Sequence, residues 1–220
     1  MMPCDRYRNH VHILSDSDED RRTWTRGLLV HALVAAAALV TAMVSLGLGL
    51  RTAHADDAAW QLAGTPGHVV LMRHANAPGF GDPKGYRLDD CATQRNLDAA
   101  GRAQARRIRS AAARHRLVFD VVLSSAWCRC LETARLATGQ EPEIAPALNS
   151  FFDDPARRPT QVSAIYTGTR ALAPDVRVLM VTHQVVISAL TGRATASGEM
   201  IVARREPDGS LIAVATIAPP

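Results

Sequence analysis

Two histidines end apolar, β-branched runs: Leu71-Met72-Arg73-His74-Ala75 near the middle of the chain and Val181-Thr182-His183-Gln184 near its end. Such runs read as buried strands, so each sets an imidazole at a strand's carboxyl end. Ligands bind at those ends in open α/β sheets. Two such imidazoles, one preceded by an arginine, point to a site that handles an anion. A histidine nucleophile that carries a phosphoryl group is one chemistry that uses this arrangement. A third segment, Ser124-Ser125-Ala126-Trp127-Cys128-Arg129-Cys130-Leu131-Glu132-Thr133-Ala134, reads as a strand ending in two hydroxyls followed by a helix. Arg129 falls in the first turns of that helix, beside the same sheet edge. A guanidinium there can grip a phosphate through two parallel hydrogen bonds, and the helix N-terminus adds favourable backbone dipoles. The competing reading is a surface Arg129 paired with Glu132 or Glu141.

The elements that must position these groups alternate. His68 to Arg73 is a strand, and residues 75–96 form a long loop with Gly79, Gly81, Pro83 and Gly85. Asp98 caps a helix running to about His115, with Ala99, Ala103, Ile108 and Ala112 among its apolar positions. Phe119 to Leu123 is a strand, and Ser124 or Ser125 caps the helix through Ala137. Glu143 to Ala145 is a short strand, and residues 148–159 form a loop carrying Phe151, Phe152, Asp153 and Asp154. A helix over 160–173, a strand over Val176 to Val181 and a short helix from Gln184 follow. Glu199 to Arg205 and Ser210 to Ile217 flank Pro207-Asp208-Gly209, a hairpin signal. The pattern predicts an α/β three-layer sandwich. Its central sheet is mostly parallel, helices cover both faces, and an antiparallel hairpin closes the C-terminus.

The first quarter of the chain reads differently. Leu28 to Leu50 is almost wholly apolar, Arg21, Arg22 and Arg26 precede it, and Ala53-His54-Ala55 follows. Positive flank, apolar core and A-x-A site describe a secretory signal, although the core is long enough to cross a bilayer as an anchor. The expected organisation is a signal peptide or anchor over 1–55, a short linker over 56–67 and one domain over 68–220. The domain would then be periplasmic or secreted after cleavage near Ala55, or held outside the cytoplasm at the inner membrane, touching membrane only through the N-terminal segment. The charge balance, 25 basic against 21 acidic residues, is modest. No basic run carries interleaved aromatics, which argues against nucleic-acid binding. Arg102, Arg106, Arg107, Arg109, Arg114 and Arg116 sit at helical spacing and read as a solvated face. Of the cysteines beyond the leader, Cys91 can pair with Cys128 or with Cys130, leaving one thiol over. Their spacing does not suit a metal site.

Together the segments resemble the histidine phosphatase superfamily, also called phosphoglycerate mutase-like. The family's R-H-G reads here Arg73-His74-Ala75, its S-S-P-x-x-R-A-x-x-T-A reads Ser124 to Ala134, and its late T-H reads Thr182-His183. An L-x-x-x-G-x-x-Q-A element appears as Leu97, Gly101, Gln104 and Ala105. The resemblance implies a phosphatase acting on a phosphomonoester or phosphoramidate. In it His74 becomes phosphorylated, Arg73, Arg129 and His183 hold the phosphoryl oxygens, and Gln184 or the helix start after His183 adds a donor. His74 must be neutral at one nitrogen, so the other should donate to a backbone carbonyl. The resemblance calls for no metal and no cofactor. Two positions depart from the family. Ala75 replaces glycine, which permits less backbone freedom. Leu148-Asn149-Ser150 stands where many members carry L-x-E, whose glutamate is the general acid. Asp153 is the candidate substitute, with Phe151 and Phe152 drying its loop, and Asp154 is the alternative. The implied partner is a small phosphorylated substrate, an envelope sugar phosphate among the candidates. The alternative function is a catalytically inactive phosphate- or ligand-binding module of the same fold.

Overall fold

The computed structural model describes residues 57–220, so the leader or anchor expected over 1–55 lies outside the described residues. Six strands form one sheet: β1 (His68–Arg73), β2 (Val121–Ser124), β3 (Glu143–Ile144), β4 (Val178–Thr182), β5 (Met200–Arg205) and β6 (Leu211–Ile217). Their order is β3-β2-β4-β1-β5-β6. β3, β2, β4 and β1 run parallel, β5 is antiparallel to β1, and β6 closes the antiparallel hairpin with β5. The mostly parallel α/β sandwich read from the sequence is the observed architecture.

Alternation along the central strands builds the two cores. Val70, Met72, Leu179 and Val181 pack with Ile108 of helix α2 (Ala99–Arg114) and Ala134 of α3 (Cys128–Thr138). Val69, Leu71, Val178 and Met180 pack instead with Ile165 of α4 (Arg158–Ala171) and with Val186, Ile187 and Leu190 of α5 (Gln184–Thr191). Both faces of β1 and β4 are therefore dry, which is why these strands read as continuous apolar runs. Each such side chain contributes ~1.5–3 kcal/mol on burial.

Two elements differ from the sequence reading. The stretch 56–67, expected as a linker, contains helix α1 over residues 57–63, which buries Ala59, Trp60 and Ala63. Trp60 stacks flat on His115 with ring centroids 5.0 Å apart. The second difference is the start of α3. Neither Ser124 nor Ser125 caps it: the helix begins at Cys128, after Trp127, which supplies no side-chain cap. The Cys128 N–H donates instead to Gln94 Oε1 at 3.0 Å, an acceptor from the long loop. Asp98, by contrast, caps α2 as expected, accepting from the Gly101 N–H at 2.7 Å.

The first turns of α2 brace the chain behind His74. A Cβ at Gly101 would sit 2.0 Å from the Asn76 carbonyl oxygen, so only glycine admits this approach. Gln104 accepts from the Asn76 N–H at 2.9 Å and donates to the Ser197 carbonyl at 2.8 Å. Alanine normally stabilises a helix interior by ~1 kcal/mol relative to glycine. Gly101→Ala should do the opposite here: the urea midpoint should fall, because backbone must move to admit the methyl group. An unchanged or higher midpoint would show that α2 does not hold Asn76 this closely.

Candidate active site

Register brings the two histidines together. Arg73 pairs with Thr182 across β1 and β4, so the next residue on each strand leaves the sheet side by side. The His74 N–H donates to the Thr182 carbonyl at 3.0 Å, and the two imidazoles meet edge to face with centroids 5.5 Å apart. His74 is 3 % exposed. Burial lowers its pKa to about 3; the Ala75 carbonyl opposes this, and the charges of Arg129, Arg73 and Arg95 add to it. The ring is therefore neutral. Its Nδ1–H donates to the Ala75 carbonyl at 2.8 Å, leaving Nε2 with the lone pair. That is the tautomer a nucleophilic imidazole needs.

His183 follows β4 and is held from behind. Its Nε2 lies 2.8 Å from Ser125 Oγ and 3.5 Å from Cys130 Sγ. Burial, then the neighbouring His74 and the arginines, hold its pKa well below the usual histidine range. Asn149 Oδ1 receives the Ala126 N–H at 2.8 Å and the Ser125 hydroxyl at 3.2 Å, tying the turn before α3 to the opposite loop. Burial pushes the Cys130 thiol up to about 12, so it stays protonated and inert as a nucleophile.

The two arginines are braced differently but share one feature. Arg73 Nη1 donates to Gln184 Oε1 at 3.0 Å and to the Thr195 carbonyl at 2.6 Å. Arg129 Nη1 donates to Asp82 Oδ1 at 2.8 Å and to the Arg95 carbonyl at 3.3 Å, and its Nη2 donates to Asp82 Oδ2 at 3.1 Å. In both residues the Nε–H is buried without a partner among the described residues. The Nε–Nη2 edge, the one that matches two phosphoryl oxygens, is left with hydrogens to donate on each guanidinium. The partner of Arg129 is thus neither Glu132, which pairs with Arg102, nor Glu141, which pairs with Arg135. It is Asp82, from the loop after β1. Arg129 and Asp82 side chains are 4 % and 5 % exposed.

Four donors hold the Asp82 carboxylate: the two Arg129 nitrogens, the Trp127 indole N–H at 3.0 Å and the Arg95 N–H at 3.0 Å. Burial alone would raise its pKa, but these bonds and the Arg129 charge bring it below the ordinary carboxylate range. Arg95 is a site residue that sequence reasoning missed. It lines the same cavity, donates to the Gly81 carbonyl at 2.7 Å and also to the Ala77 carbonyl. The only sequence signal for it was its place two residues before Leu97, where the family-like element begins.

A cavity of about 720 Å³ joins these groups. Arg73, Arg95, Arg129 and Arg158 line it against Asp82 and Asp153, so its wall is net positive. His74, His183, Gln184 and Ser150 also line it, whereas Asp154 does not. The expected drying of Asp153 does not occur. Phe151 is buried, but Phe152 is 45 % exposed and Asp153 is exposed as well. The Ala75 departure costs nothing: Arg116 is the only described non-glycine residue with positive φ, so Ala75 fits a conformation open to any residue. Its N–H donates to Thr133 Oγ1 at 3.0 Å. Cys91 pairs with Cys128, their Cα atoms 5.7 Å apart, and Cys130 is the leftover thiol. The bond straps the long loop to the start of α3.

Residues 69–152 match the family described as the histidine phosphatase superfamily (branch 1). No curated protein matches the chain. Among solved structures, it is similar to a putative α-ribazole-5'-P phosphatase from Escherichia coli at 18 % identity, over 70 % of this chain and 98 % of that one, with a TM-score of 0.50. A phosphoserine phosphatase variant from Entamoeba histolytica, in complex with phosphoserine, matches at 12 % identity over 69 % and 96 % of the two chains, with a TM-score of 0.50. A putative phosphohistidine phosphatase SixA from Agrobacterium tumefaciens is 25 % identical over 71 % and 100 %, with a TM-score of 0.47. The first two share the fold.

Asp82→Ala strands a buried Arg129 charge, and breaking a buried pair in this way costs ~3–5 kcal/mol. Chemical denaturation of the variant should show a loss of that order, and a loss below ~1 kcal/mol would mean that Arg129 is not buried on this partner. The imidazoles set a pH dependence. Both are neutral in the fold, whereas unfolded histidine takes up a proton near ~6.5. Between that pH and about 3, where folded His74 titrates, the unfolded state binds more protons, so stability rises with pH. Acidifying from pH 7 to 5 should therefore destabilise the domain, each ring contributing up to ~1.4 kcal/mol per pH unit. His74→Gln should lose one ring's share of that slope; an unaltered slope would contradict a neutral buried His74.

Proposed function

We propose that this domain, which matches the histidine phosphatase superfamily over residues 69–152, hydrolyses a phosphomonoester or phosphoramidate through a phosphohistidine on His74. One observation carries the reading: a neutral imidazole with Nδ1–H fixed on the Ala75 carbonyl lines a cavity beside two guanidiniums whose Nε–H groups have no partner. His74 Nε2 attacks phosphorus while the bond from phosphorus to the leaving oxygen or nitrogen breaks. Arg73 and Arg129 take the phosphoryl oxygens on their open edges, and His183, with Gln184 beside Arg73, completes the anion site. The charge spread over those oxygens in the transition state is what such donors stabilise. Water then attacks the phosphohistidine, the P–N bond breaks, and inorganic phosphate leaves with His74 neutral again.

The proton for a basic leaving group comes from Asp153. It lines the cavity and makes no ion pair among the described residues, unlike Asp82, whose carboxylate is already engaged. The substrate is a small phosphorylated compound, with envelope sugar phosphates the class that export favours. The domain works outside the cytoplasm, released near Ala55 or anchored through Leu28 to Leu50. A Cys91–Cys128 bond supports that reading, because disulfides persist in oxidising compartments.

The test is turnover of p-nitrophenyl phosphate by protein whose N-terminus has been sequenced, assayed with excess EDTA. The rate should not change on chelation, and His74→Ala should abolish it. Arg129→Ala should slow it by ~100-fold or more, the usual cost of removing one transition-state donor. Quenched wild-type enzyme should carry an acid-labile, base-stable phosphoryl group. Activity that survives in His74→Ala would exclude the phosphohistidine route. Phosphate binding without any turnover would make the domain a binding module instead.

A further inference from the structure

Above the phosphate-handling groups, two loops bring aromatic rings together at the rim of the cavity. Phe80 comes from the loop after β1 and Phe152 from the loop before α4, and both line the cavity. Their rings meet edge to face, centroids 5.2 Å apart and planes at 83°. Neither is covered: Phe80 is 87 % exposed and Phe152 45 %. Phenylalanine left this open in a folded domain marks a contact surface when it adjoins a pocket. The presentation is built into the backbone. Gly79 and Gly81 flank Phe80 with φ of 96° and 66°, left-handed conformations that favour glycine, and a Cβ at Gly81 would meet no atom within 4 Å. Chain conformation, not crowding, turns Phe80 outward. A phosphoryl group alone fills a small part of a cleft of about 720 Å³, a size that encloses a whole small-molecule ligand.

We infer that Phe80 and Phe152 form a leaving-group subsite for a phosphate ester whose alcohol carries a ring with an apolar face. The inference rests on reading the cleft as a phosphoryl site. Polar groups at the base take the phosphate, and the rings at the rim take the face of the ring attached to it. Edge and face of two crossed phenyls offer a corner into which a third ring packs, with the geometry aromatic groups prefer. A leaving group with no ring leaves that corner to water.

Benzyl phosphate and methyl phosphate test this, because both release primary alcohols and differ in the ring. The wild-type protein should favour benzyl over methyl phosphate in kcat/KM by about tenfold or more, the order that one aromatic contact and its buried area supply. Phe80→Ala and Phe152→Ala should each collapse that ratio, and Phe80→Tyr should keep it. A wild-type ratio near one, or alanine variants that leave the ratio unaltered, would overturn the subsite. Cyclohexylmethyl phosphate distinguishes the sources of the ring: a ratio matching benzyl assigns apolar ring faces in general, as on a sugar, and a ratio matching methyl assigns aromatic rings. Calorimetry with benzylphosphonate and methylphosphonate separates this inference from the hydrolytic reading. If neither ester turns over, yet benzylphosphonate binds more tightly and loses that margin in the alanine variants, the subsite stands and hydrolysis falls. Equal binding of the two phosphonates would remove the subsite whatever the turnover.

Discussion

Arg129 keeps its charge inside the domain because Asp82 is buried with it. Moving two charges out of water costs several kcal/mol each, and only good geometry with further hydrogen bonds offsets that. The pair meets the condition through both Arg129 terminal nitrogens, the Trp127 indole and the Arg95 N–H. Each of those bonds constrains a different piece of chain. Trp127 fixes the turn into α3, and Arg95 fixes the end of the long loop, from which Gln94 reaches over to cap α3. The Cys91–Cys128 bond closes the same circuit covalently. The long loop is therefore not a lid resting on a finished site. It supplies the counter-charge and the helix cap without which Arg129 would have no fixed place.

The same buried charges explain why both histidines are neutral. Burial is the first cause in each case, and the arginines add to it, since a second positive charge beside a guanidinium in a dry site is disfavoured. A neutral His74 can attack phosphorus; a protonated one cannot. In the proposed mechanism the arginines do two jobs through one field, attracting an anionic substrate and keeping His74 unprotonated before it arrives.

What could be read from the sequence was what obeys a local rule. The strand ends at His74 and His183, the Asp98 cap and the C-terminal hairpin all follow from periodicity or from residues a few positions apart. The register that sets Arg73 beside Thr182 then places the histidines without further information. What could not be read depends on distant partners. Ser124 and Ser125 look like caps locally, but the Ser125 hydroxyl faces His183 and the cap comes from Gln94. Asp82 sits in a glycine-rich stretch with nothing beside it to announce an arginine 47 positions away. The drying of Asp153 failed for a similar reason: adjacent phenylalanines bury a carboxyl only if the fold covers both, and it covers Phe151 alone.

A carboxylate on a guanidinium imitates a phosphate, which sets Asp82 against any such ligand for Arg129. The choice of edge removes the conflict. A guanidinium has five N–H groups, and its planar fork can serve two bidentate partners at once, one on the Nη1–Nη2 end and one on the Nε–Nη2 side. Asp82 takes the end, and the Arg95 carbonyl takes the remaining Nη1 hydrogen. The side is left, and its Nε–H has no partner among the described residues. Arg73 is held at Nη1 alone, by Gln184 and the Thr195 carbonyl, and its Nε–H likewise has no partner among the described residues. In the proposed mechanism, two arginines from different elements, each braced by protein and each keeping an unpartnered Nε–H among the described residues, form a clamp in which lysine would fail. An ammonium lacks the second, rigidly oriented edge that lets one side chain be held and still hold a ligand.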